Sequence, residues 1–207
     1  MSQKIVIIDY KVGNLNSILN MLNRIGQKSI ISDNLEDIES ADKLILPGVG
    51  AFDYGITQLN KSGLIPILEK KALTQKIPFL GICLGAQLLT QSSEEGVLPG
   101  LGWFQAKTIK FKFEHSEIKL KIPHMGWTDV KIEQPSPLTI GLEEEARFYF
   151  VHSFHFSTEC KKEILLKSVY GYEFVSALHR DNIYAVQFHP EKSHKFGLQV
   201  MKNFVGI

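Results

Sequence analysis

The segment best suited to covalent chemistry is a cysteine placed between two glycines. It reads GICLG over residues 81–85, after a short apolar run and before a second apolar stretch. This is the thiol counterpart of the G-x-S-x-G elbow, in which glycines permit the strained turn that exposes the nucleophile. A helix beginning after Cys83 would direct its positive end at the sulfur and favour the thiolate. An isolated cysteine is commonly a buried structural residue, but glycines at both required offsets predict a nucleophile.

A nucleophilic thiol needs a base, and a histidine held by a carboxylate supplies one. Of the seven histidines, His189 has a carboxylate two residues further on, in His189-Pro190-Glu191. Residues two apart share a face if the chain stays extended, so Glu191 is expected beside the imidazole, where it fixes the tautomer. Pro190 is expected at the edge of a sheet. The sequence therefore predicts a triad of Cys83, His189 and Glu191.

The remaining histidines and the second cysteine have weaker signals. His152 and His155 lie three apart in a strand-like segment, which places them on opposite faces and argues against a shared metal. Three others are expected at the surface: His115, His179 and His194. Cys160 has no elbow around it, and neither cysteine belongs to a C-x-x-C pair, so no disulfide, zinc site or redox site is predicted.

A second glycine-rich segment, LPGVG over residues 46–50, follows another apolar run. In a parallel sheet it would emerge at the same carboxyl edge as Cys83. Backbone N–H groups aimed at a developing oxyanion are each worth ~10²–10³ in rate, and glycine lets them approach closely. An ordinary tight turn is the alternative interpretation. A phosphate loop is excluded, because neither G-x-G-x-x-G nor a following Gly-Lys-Ser/Thr is present.

The elements that must position these residues alternate between strand and helix in the first 95 residues. Apolar runs at 5–8, 44–46 and 78–82 lead into helical patterns, the first of which spans 15–25 and closes at Gly26. Such a pattern predicts a parallel sheet covered on both faces. Later segments indicate antiparallel additions and a last amphipathic helix: strands at 107–113 and 147–156, a hairpin of 174–180 with 183–188, and a helix around 196–204. The predicted fold class is α/β, with a mostly parallel central sheet.

The composition limits the classes of function. The 207 residues are 44% hydrophobic, which is enough for one domain over 1–207. Lys+Arg 23 against Asp+Glu 22 gives a formal charge of +1, so neither nucleic acid nor an anionic membrane is an expected partner. No apolar run reaches the ~18 residues that span a bilayer, and the start lacks a signal-peptide pattern. A cytoplasmic location is expected.

Nearly the whole chain resembles the class I glutamine amidotransferases. The closer resemblance is to the glutaminase subunits of imidazole glycerol phosphate synthases in histidine biosynthesis. The matching blocks, in family order, are IDY (8–10), GNL (13–15), LPGVGAF (46–52), LGICLG (80–85), SEEG (93–96), PHMGW (123–127), YFVHS (149–153) and QFHPEKS (187–193). The resemblance implies the family fold, a parallel sheet flanked by helices with added antiparallel strands.

The resemblance also implies a role for each site residue. Cys83 is the nucleophile, His189 the general base and acid, and Glu191 the residue that orients the histidine. The implied oxyanion hole consists of Val49, Gly50 and the N–H of Leu84. The implied glutamine contacts are Gly48, Gln87, and main-chain groups of Val151, His152 and Ser153. Tyr149 and Lys192 match positions at the boundary with a partner.

The implied reaction releases ammonia from glutamine through a cysteine thioester and passes it to the partner, a TIM-barrel cyclase subunit, within a heterodimer. No metal or organic cofactor is required. Three positions depart from the family pattern: Thr128 for asparagine, Phe154 for tyrosine and Trp103 for an aliphatic residue. These departures leave open a paralogue that feeds another synthase, such as one amidating a nucleotide-linked sugar.

Two interpretations from other classes compete with this one. A noncatalytic binding protein would have no need of the complete triad. Cysteine peptidases and chaperones of similar architecture commonly place histidine directly after the nucleophile, whereas this chain has Leu84 there.

Overall fold

A computed structural model describes residues 3–113, 120–142 and 145–207. His115, expected at the surface, lies outside the described residues. The strands within these ranges are β1 Ile5–Ile8, β2 Ser29–Ser32, β3 Lys43–Gly48, β4 Phe79–Cys83, β5 Ala106–Lys110, β6 His124–Asp129, β7 Lys131–Ile132, β8 Arg147–His152, β9 Phe154–Thr158, β10 Ile164–Tyr170, β11 Tyr172–Arg180 and β12 Ile183–Val186. The α-helices are α1 Leu15–Arg24, α2 Leu35–Glu39, α3 Phe52–Ser62, α4 Ile65–Glu69, α5 Leu84–Gln87 and α6 His194–Gly206. A π-helical turn, Lys70–Thr74, continues α4, and 3₁₀ turns occupy Pro137–Thr139, Lys161–Glu163 and Pro190–Lys192.

The central sheet begins parallel and ends antiparallel. Strands β2, β1, β3, β4 and β12 run parallel in that order. The sheet then continues antiparallel through β11, β10 and β7, with β9 and β5 attached at β11. Strands β6 and β8 form a separate antiparallel pair. The predicted α/β class, with a mostly parallel central sheet flanked by helices and added antiparallel strands, is confirmed, and the antiparallel part makes the whole sheet mixed.

Two apolar cores lie on opposite faces of the sheet. In β1 the side chains of Val6 and Ile8 belong to one core, whereas Ile5 and Ile7 belong to the other. Strand residues alternate between faces, so four consecutive buried residues require cover on both sides. Trp103 lies in the first core, edge-on to a phenylalanine of β4 with ring centroids 4.9 Å apart. No helix in the described ranges has both the length and the apolar character needed to span a bilayer.

Most elements predicted from the periodicity are present, with different ends. The strand expected over 107–113 stops at Lys110, and the segment expected over 147–156 is two strands that meet at Ser153. The hairpin pairs β11 with β12 as predicted. The apolar stretch after Cys83 is only a single helical turn, α5. Leu88 and Leu89 are fully buried there, so their burial, not a helical period, explains the apolar run.

Helix α6 is held by a strand residue near its carboxyl end and by the Pro190 turn near its start. Near its carboxyl end, the buried Lys43 Nζ donates to the carbonyl oxygens of Phe204, at 3.1 Å, and Val205, at 2.7 Å. A cation there satisfies carbonyls that the helix leaves unpaired. Near its start, Gly197 contacts the carbonyl of Pro190, and an added Cβ would overlap with that oxygen. The helix therefore supports the turn that contains Pro190 and Glu191.

We predict that Gly197→Ala lowers the free energy of unfolding by about 1–3 kcal/mol, the usual cost of overpacking a tight contact. The added methyl group must push α6 away from the Pro190 carbonyl. Denaturant unfolding would measure the change. Gly206→Ala, on the same helix with no atom within 4 Å of the new methyl group, is the matched control and should not destabilise. Equal stability of both variants would contradict the role of this contact.

Candidate active site

The carboxyl ends of three neighbouring parallel strands form the site. The Cα positions of Gly48 on β3 and Cys83 on β4 are paired in register. On the other side of β4, Val186 pairs with Ile82, so β12 ends one residue before the level of the cysteine. His189 follows three residues later. Crevices of this kind, beyond the carboxyl ends of strands, are where open α/β sheets bind ligands.

Cys83 has the strained backbone expected of a nucleophile elbow. Its φ is +53° and its ψ is −113°, and its side chain is 7% exposed. The turn is tight because α5 packs directly on β3: a Cβ at Gly85 would overlap with the carbonyl oxygen of Leu46. A Cβ at Gly81 would lie 2.8 Å from the Cα of Ala86. Both glycines of the GICLG segment are thus required by close approach of backbone segments.

His189 and Glu191 form a buried hydrogen-bonded pair. The imidazole Nδ1 lies 2.7 Å from Glu191 Oε1, and the two side chains are 2% and 8% exposed. The expectation of an extended chain here was wrong, since Pro190–Lys192 is a 3₁₀ turn, and the turn itself brings the carboxylate to the ring. The other nitrogen, Nε2, is buried and has no hydrogen-bond partner among the described residues.

Backbone and hydroxyl contacts hold the histidine from behind. The N–H of His189 donates to the carbonyl of Tyr149 at 2.9 Å. The buried Ser193 hydroxyl donates to the His189 carbonyl at 2.6 Å and accepts from the Tyr149 N–H at 2.9 Å. Strand β8 and the histidine turn are therefore joined as one unit.

The surroundings of His189 favour its charged form. Burial disfavours the imidazolium, but the neighbouring Cys83 and Glu191 outweigh it and raise the pKa of His189 to about 10. An imidazolium between an acid and a thiol is ready to donate a proton to a leaving group.

A cavity of about 330 Å³ opens onto Cys83 and His189. Its lining includes these predicted residues: Val49, Gly50, Leu84, Gln87, Val151, His152 and Ser153. Gly48 does not line it, and instead pairs with Cys83 in the sheet. Glu191 lies behind His189, in the wall of a separate surface cleft. The cavity thus brings two members of the predicted triad together, with the third hydrogen-bonded to one of them.

Two residues of the site were not identified from the sequence. Gln187, fully buried, donates its side-chain N–H to Cys83 Sγ at 3.8 Å and accepts from Gln87 Nε2 at 2.9 Å. Glu95 lines the cavity and accepts from the N–H of Phe52 at 2.9 Å. The sequence offered two signals: Gln187 lies two residues before His189, and Glu95 belongs to the pair of glutamates in the SEEG segment. Both features are also common on ordinary protein surfaces.

Tyr149 and Lys192, predicted at a partner boundary, lie together outside the cavity. The Lys192 ammonium is 5.7 Å from the Tyr149 ring centroid. Trp127 is 42% exposed. Its ring packs edge-on to Tyr149, with centroids 6.1 Å apart, and stacks on His194, with centroids 5.4 Å apart. We call Met125, Trp127, Tyr149, Lys192 and His194 the aromatic face.

Comparisons with known proteins agree with this architecture. Residues 6–206 match the family model for glutamine amidotransferase class-I. The crystal structure of a putative GMP synthase component from Thermoplasma acidophilum superposes with a TM-score of 0.73 at 23% identity, covering 100% of this chain and 94% of that one. At this identity the likeness concerns the fold. The chain belongs to the class I glutamine amidotransferase family.

Full-length relatives narrow the assignment. The imidazole glycerol phosphate synthase subunit HisH 2 of Methanococcus maripaludis is 56% identical over 97% of this chain and 98% of its own length. The protein of the same name from Pseudomonas aeruginosa is 50% identical over 98% of this chain and 99% of its own length. Within the family, the chain groups with these HisH subunits, and it is an enzyme.

We predict that Glu191→Gln lowers the pKa of His189 from its value of about 10, because the acceptor loses its charge. An unfolded histidine titrates near ~6.5. The raised pKa therefore stabilises the fold fully below pH ~6.5, and this contribution is lost as the pH rises towards 10. NMR titration of the imidazole, with unfolding measured across the same pH range, tests both statements. Glu173→Gln, at an exposed carboxylate, is the control, and an unchanged His189 pKa in Glu191→Gln would contradict the assignment.

Proposed function

We propose that this chain is the glutaminase subunit of an imidazole glycerol phosphate synthase in histidine biosynthesis. It hydrolyses glutamine to glutamate and ammonia and passes the ammonia to a synthase partner. The observation that carries the proposal is the cavity that Cys83 shares with His189, whose other ring nitrogen bonds Glu191. The HisH relatives, at 50–56% identity over nearly the full chain, support the pathway. We further propose that residues 1–207 form one glutaminase domain, since both cores share one sheet.

The reaction follows from the chemistry of the three side chains. The Cys83 thiolate attacks the side-chain amide carbon of glutamine and forms a tetrahedral intermediate. His189, held as imidazolium by Glu191, protonates the amide nitrogen, and ammonia leaves as the thioester forms. Neutral His189 then takes a proton from water, which attacks the thioester and releases glutamate. Each proton that His189 gives in the first half is recovered in the second.

Backbone groups on two sides of Cys83 supply the oxyanion hole in this proposal. The N–H of Leu84 lies at the start of α5, and Val49 and Gly50, in the loop after β3, line the same cavity. Gly48 pairs with Cys83 in the sheet, which fixes the distance between loop and nucleophile. Donors fixed in advance at a developing oxyanion lower the barrier without reorganising during the reaction.

The rest of the cavity suits the amino-acid end of glutamine. Glu95 uses one oxygen to accept from Phe52 N–H and keeps acceptor capacity for an α-ammonium group. Gln87 and the main chain of Val151, His152 and Ser153 lie along the same cavity. Together these groups provide both acceptors and donors, as a zwitterionic amino acid requires.

The aromatic face is the proposed docking site for the partner, a TIM-barrel cyclase that completes a heterodimer. Met125 is 62% exposed and Trp127 42%, and both lie on the outward side of β6, so they present neighbouring apolar side chains to solvent. Lys192 directly follows Glu191, and the His189 N–H bonds the Tyr149 carbonyl, so the face is continuous with the triad.

Free thiols at positions 83 and 160 suit the reducing cytoplasm, where we place the enzyme.

We predict that Cys83→Ala abolishes glutamine hydrolysis by the complex with the cyclase, with a loss of roughly a thousandfold or more. Without the thiol no thioester can form. Glutamate production in the presence of the partner and its acceptor substrate is the measurement. Cys160→Ala, at the other free cysteine, should retain activity. Undiminished turnover by Cys83→Ala would refute the covalent mechanism.

We predict that Trp127→Ala weakens the complex with the cyclase by at least about tenfold, since exposed tryptophans at interface centres commonly cost about 2 kcal/mol or more on truncation. Calorimetric titration of the purified subunits gives the dissociation constant. Val97→Ala, at an apolar residue that is 92% exposed and outside the aromatic face, should leave the affinity unchanged. Equal affinity for both variants would remove the aromatic face as the docking site.

A further inference from the structure

Two buried histidines and a threonine form a hydrogen-bonded chain next to the glutamine cavity. His152 Nδ1 lies 2.7 Å from the carbonyl oxygen of Phe154. Its Nε2 lies 3.0 Å from His124 Nδ1, and His124 Nε2 lies 2.8 Å from Thr128 Oγ1. His124 is 2% exposed and His152 6%, whereas Thr128 is half-buried. The mechanism above uses none of these side chains.

Every proton in this hydrogen-bonded series can be assigned by starting at its fixed end, the Phe154 carbonyl oxygen. A carbonyl oxygen only accepts, so His152 carries its proton on Nδ1. Burial lowers the pKa of His152 to about 3 and that of His124 to about 4, so both rings are neutral. The bare His152 Nε2 then accepts from His124 Nδ1–H, and the bare His124 Nε2 accepts from the Thr128 hydroxyl. Only one arrangement of tautomers satisfies all three bonds.

The chain ends on the segment that faces the substrate. His152, Ser153 and Phe154 line the cavity that contains Cys83. The Phe154 carbonyl also accepts from Gln87 Nε2 at 3.4 Å, so Gln87 and the histidine chain meet at one oxygen. Strands β6 and β8 pair His124 directly with His152, which fixes the two backbones beside each other. The position of the Phe154 carbonyl therefore depends on the orientation of both imidazoles.

Neither histidine is placed to exchange protons with substrate. All four ring nitrogens of His124 and His152 make hydrogen bonds, and the hydroxyl of this hydrogen-bonded series, that of Thr128, lies at the end away from the cavity. Thr128 and His124 alternate along β6 with Met125 and Trp127, which face outward. Their contribution is therefore orientation of the cavity wall rather than proton transfer or partner contact.

We propose that Thr128 and His124 are positioning residues for glutamine: the Thr128 hydroxyl donates to His124 Nε2 and holds that ring against His152, and through His152 it holds the 152–154 segment that receives the amino-acid end of the substrate. This inference rests on the proposed glutaminase function. It assigns a role to a position that departs from the family pattern.

Thr128→Val removes the hydroxyl and keeps the shape, whereas Thr128→Ser keeps the hydroxyl. In the complex with the cyclase, Thr128→Val should raise the KM for glutamine about fivefold, the usual effect of losing one buried hydrogen bond, with kcat within about twofold of wild type. Thr128→Ser should restore the KM to within about twofold. An unchanged KM in Thr128→Val, or equal changes in both variants, would overturn the inference.

A second measurement tests the hydrogen-bonded series directly and does not depend on enzyme turnover. Long-range ¹H–¹⁵N spectra of histidine-labelled protein distinguish Nδ1–H from Nε2–H rings. Wild type should show both His124 and His152 as Nδ1–H, and Thr128→Val should keep that form but shift the Nε2 resonance of His124, which loses its hydrogen-bond donor. An Nε2–H His124 in wild type overturns the inference alone. A wild-type complex with no glutaminase activity would overturn the proposed function and the positioning role together. The tautomer assignment would be unaffected by that result, because the spectra test it independently.

Discussion

The site depends on the lateral register of three parallel strands. Hydrogen bonds between β3 and β4 place Gly48 level with Cys83, and those between β4 and β12 end the third strand just below the same level. A shift of one residue would turn the alternating side chains of a strand to the opposite face. Because both faces are buried, the apolar cores resist such a shift. Residues more than a hundred positions apart therefore meet without a dedicated linker between them.

Buried polar groups are concentrated where this register brings strand ends together. His189 and Glu191 are almost inaccessible, and Glu191 Oε2 has no hydrogen-bond partner among the described residues. Burying charge is costly unless it is paired, so the carboxylate and the imidazolium depend on each other. Gln187 adds a donor to the sulfur from within the core. His189 Nε2 has no hydrogen-bond partner among the described residues, and the neighbouring Cys83 is one of the two groups that raise the pKa of the imidazole.

Local patterns in the sequence were sufficient for the parts of the molecule set by short-range physics. Apolar runs predicted β1, β3 and β4, and the glycine spacing around Cys83 predicted the tight turn. The pairing of β6 with β8 has no local signal, because the paired residues His124 and His152 are separated by a segment of mixed character. The 3₁₀ turn at Pro190 was missed because proline there suits both an extended edge and a turn. Glu95 was missed because its role depends only on where α3 places its partner.

The backbone of Cys83 places stability and activity in opposition at a single residue. A side chain at φ +53° and ψ −113° is held outside the regions that L-amino acids favour, at a cost of about 1–3 kcal/mol. Glycine would relieve that cost and remove the sulfur. Selection for a more robust fold and selection for turnover therefore act in contrary directions at position 83, and any gain in robustness must come from positions elsewhere in the chain.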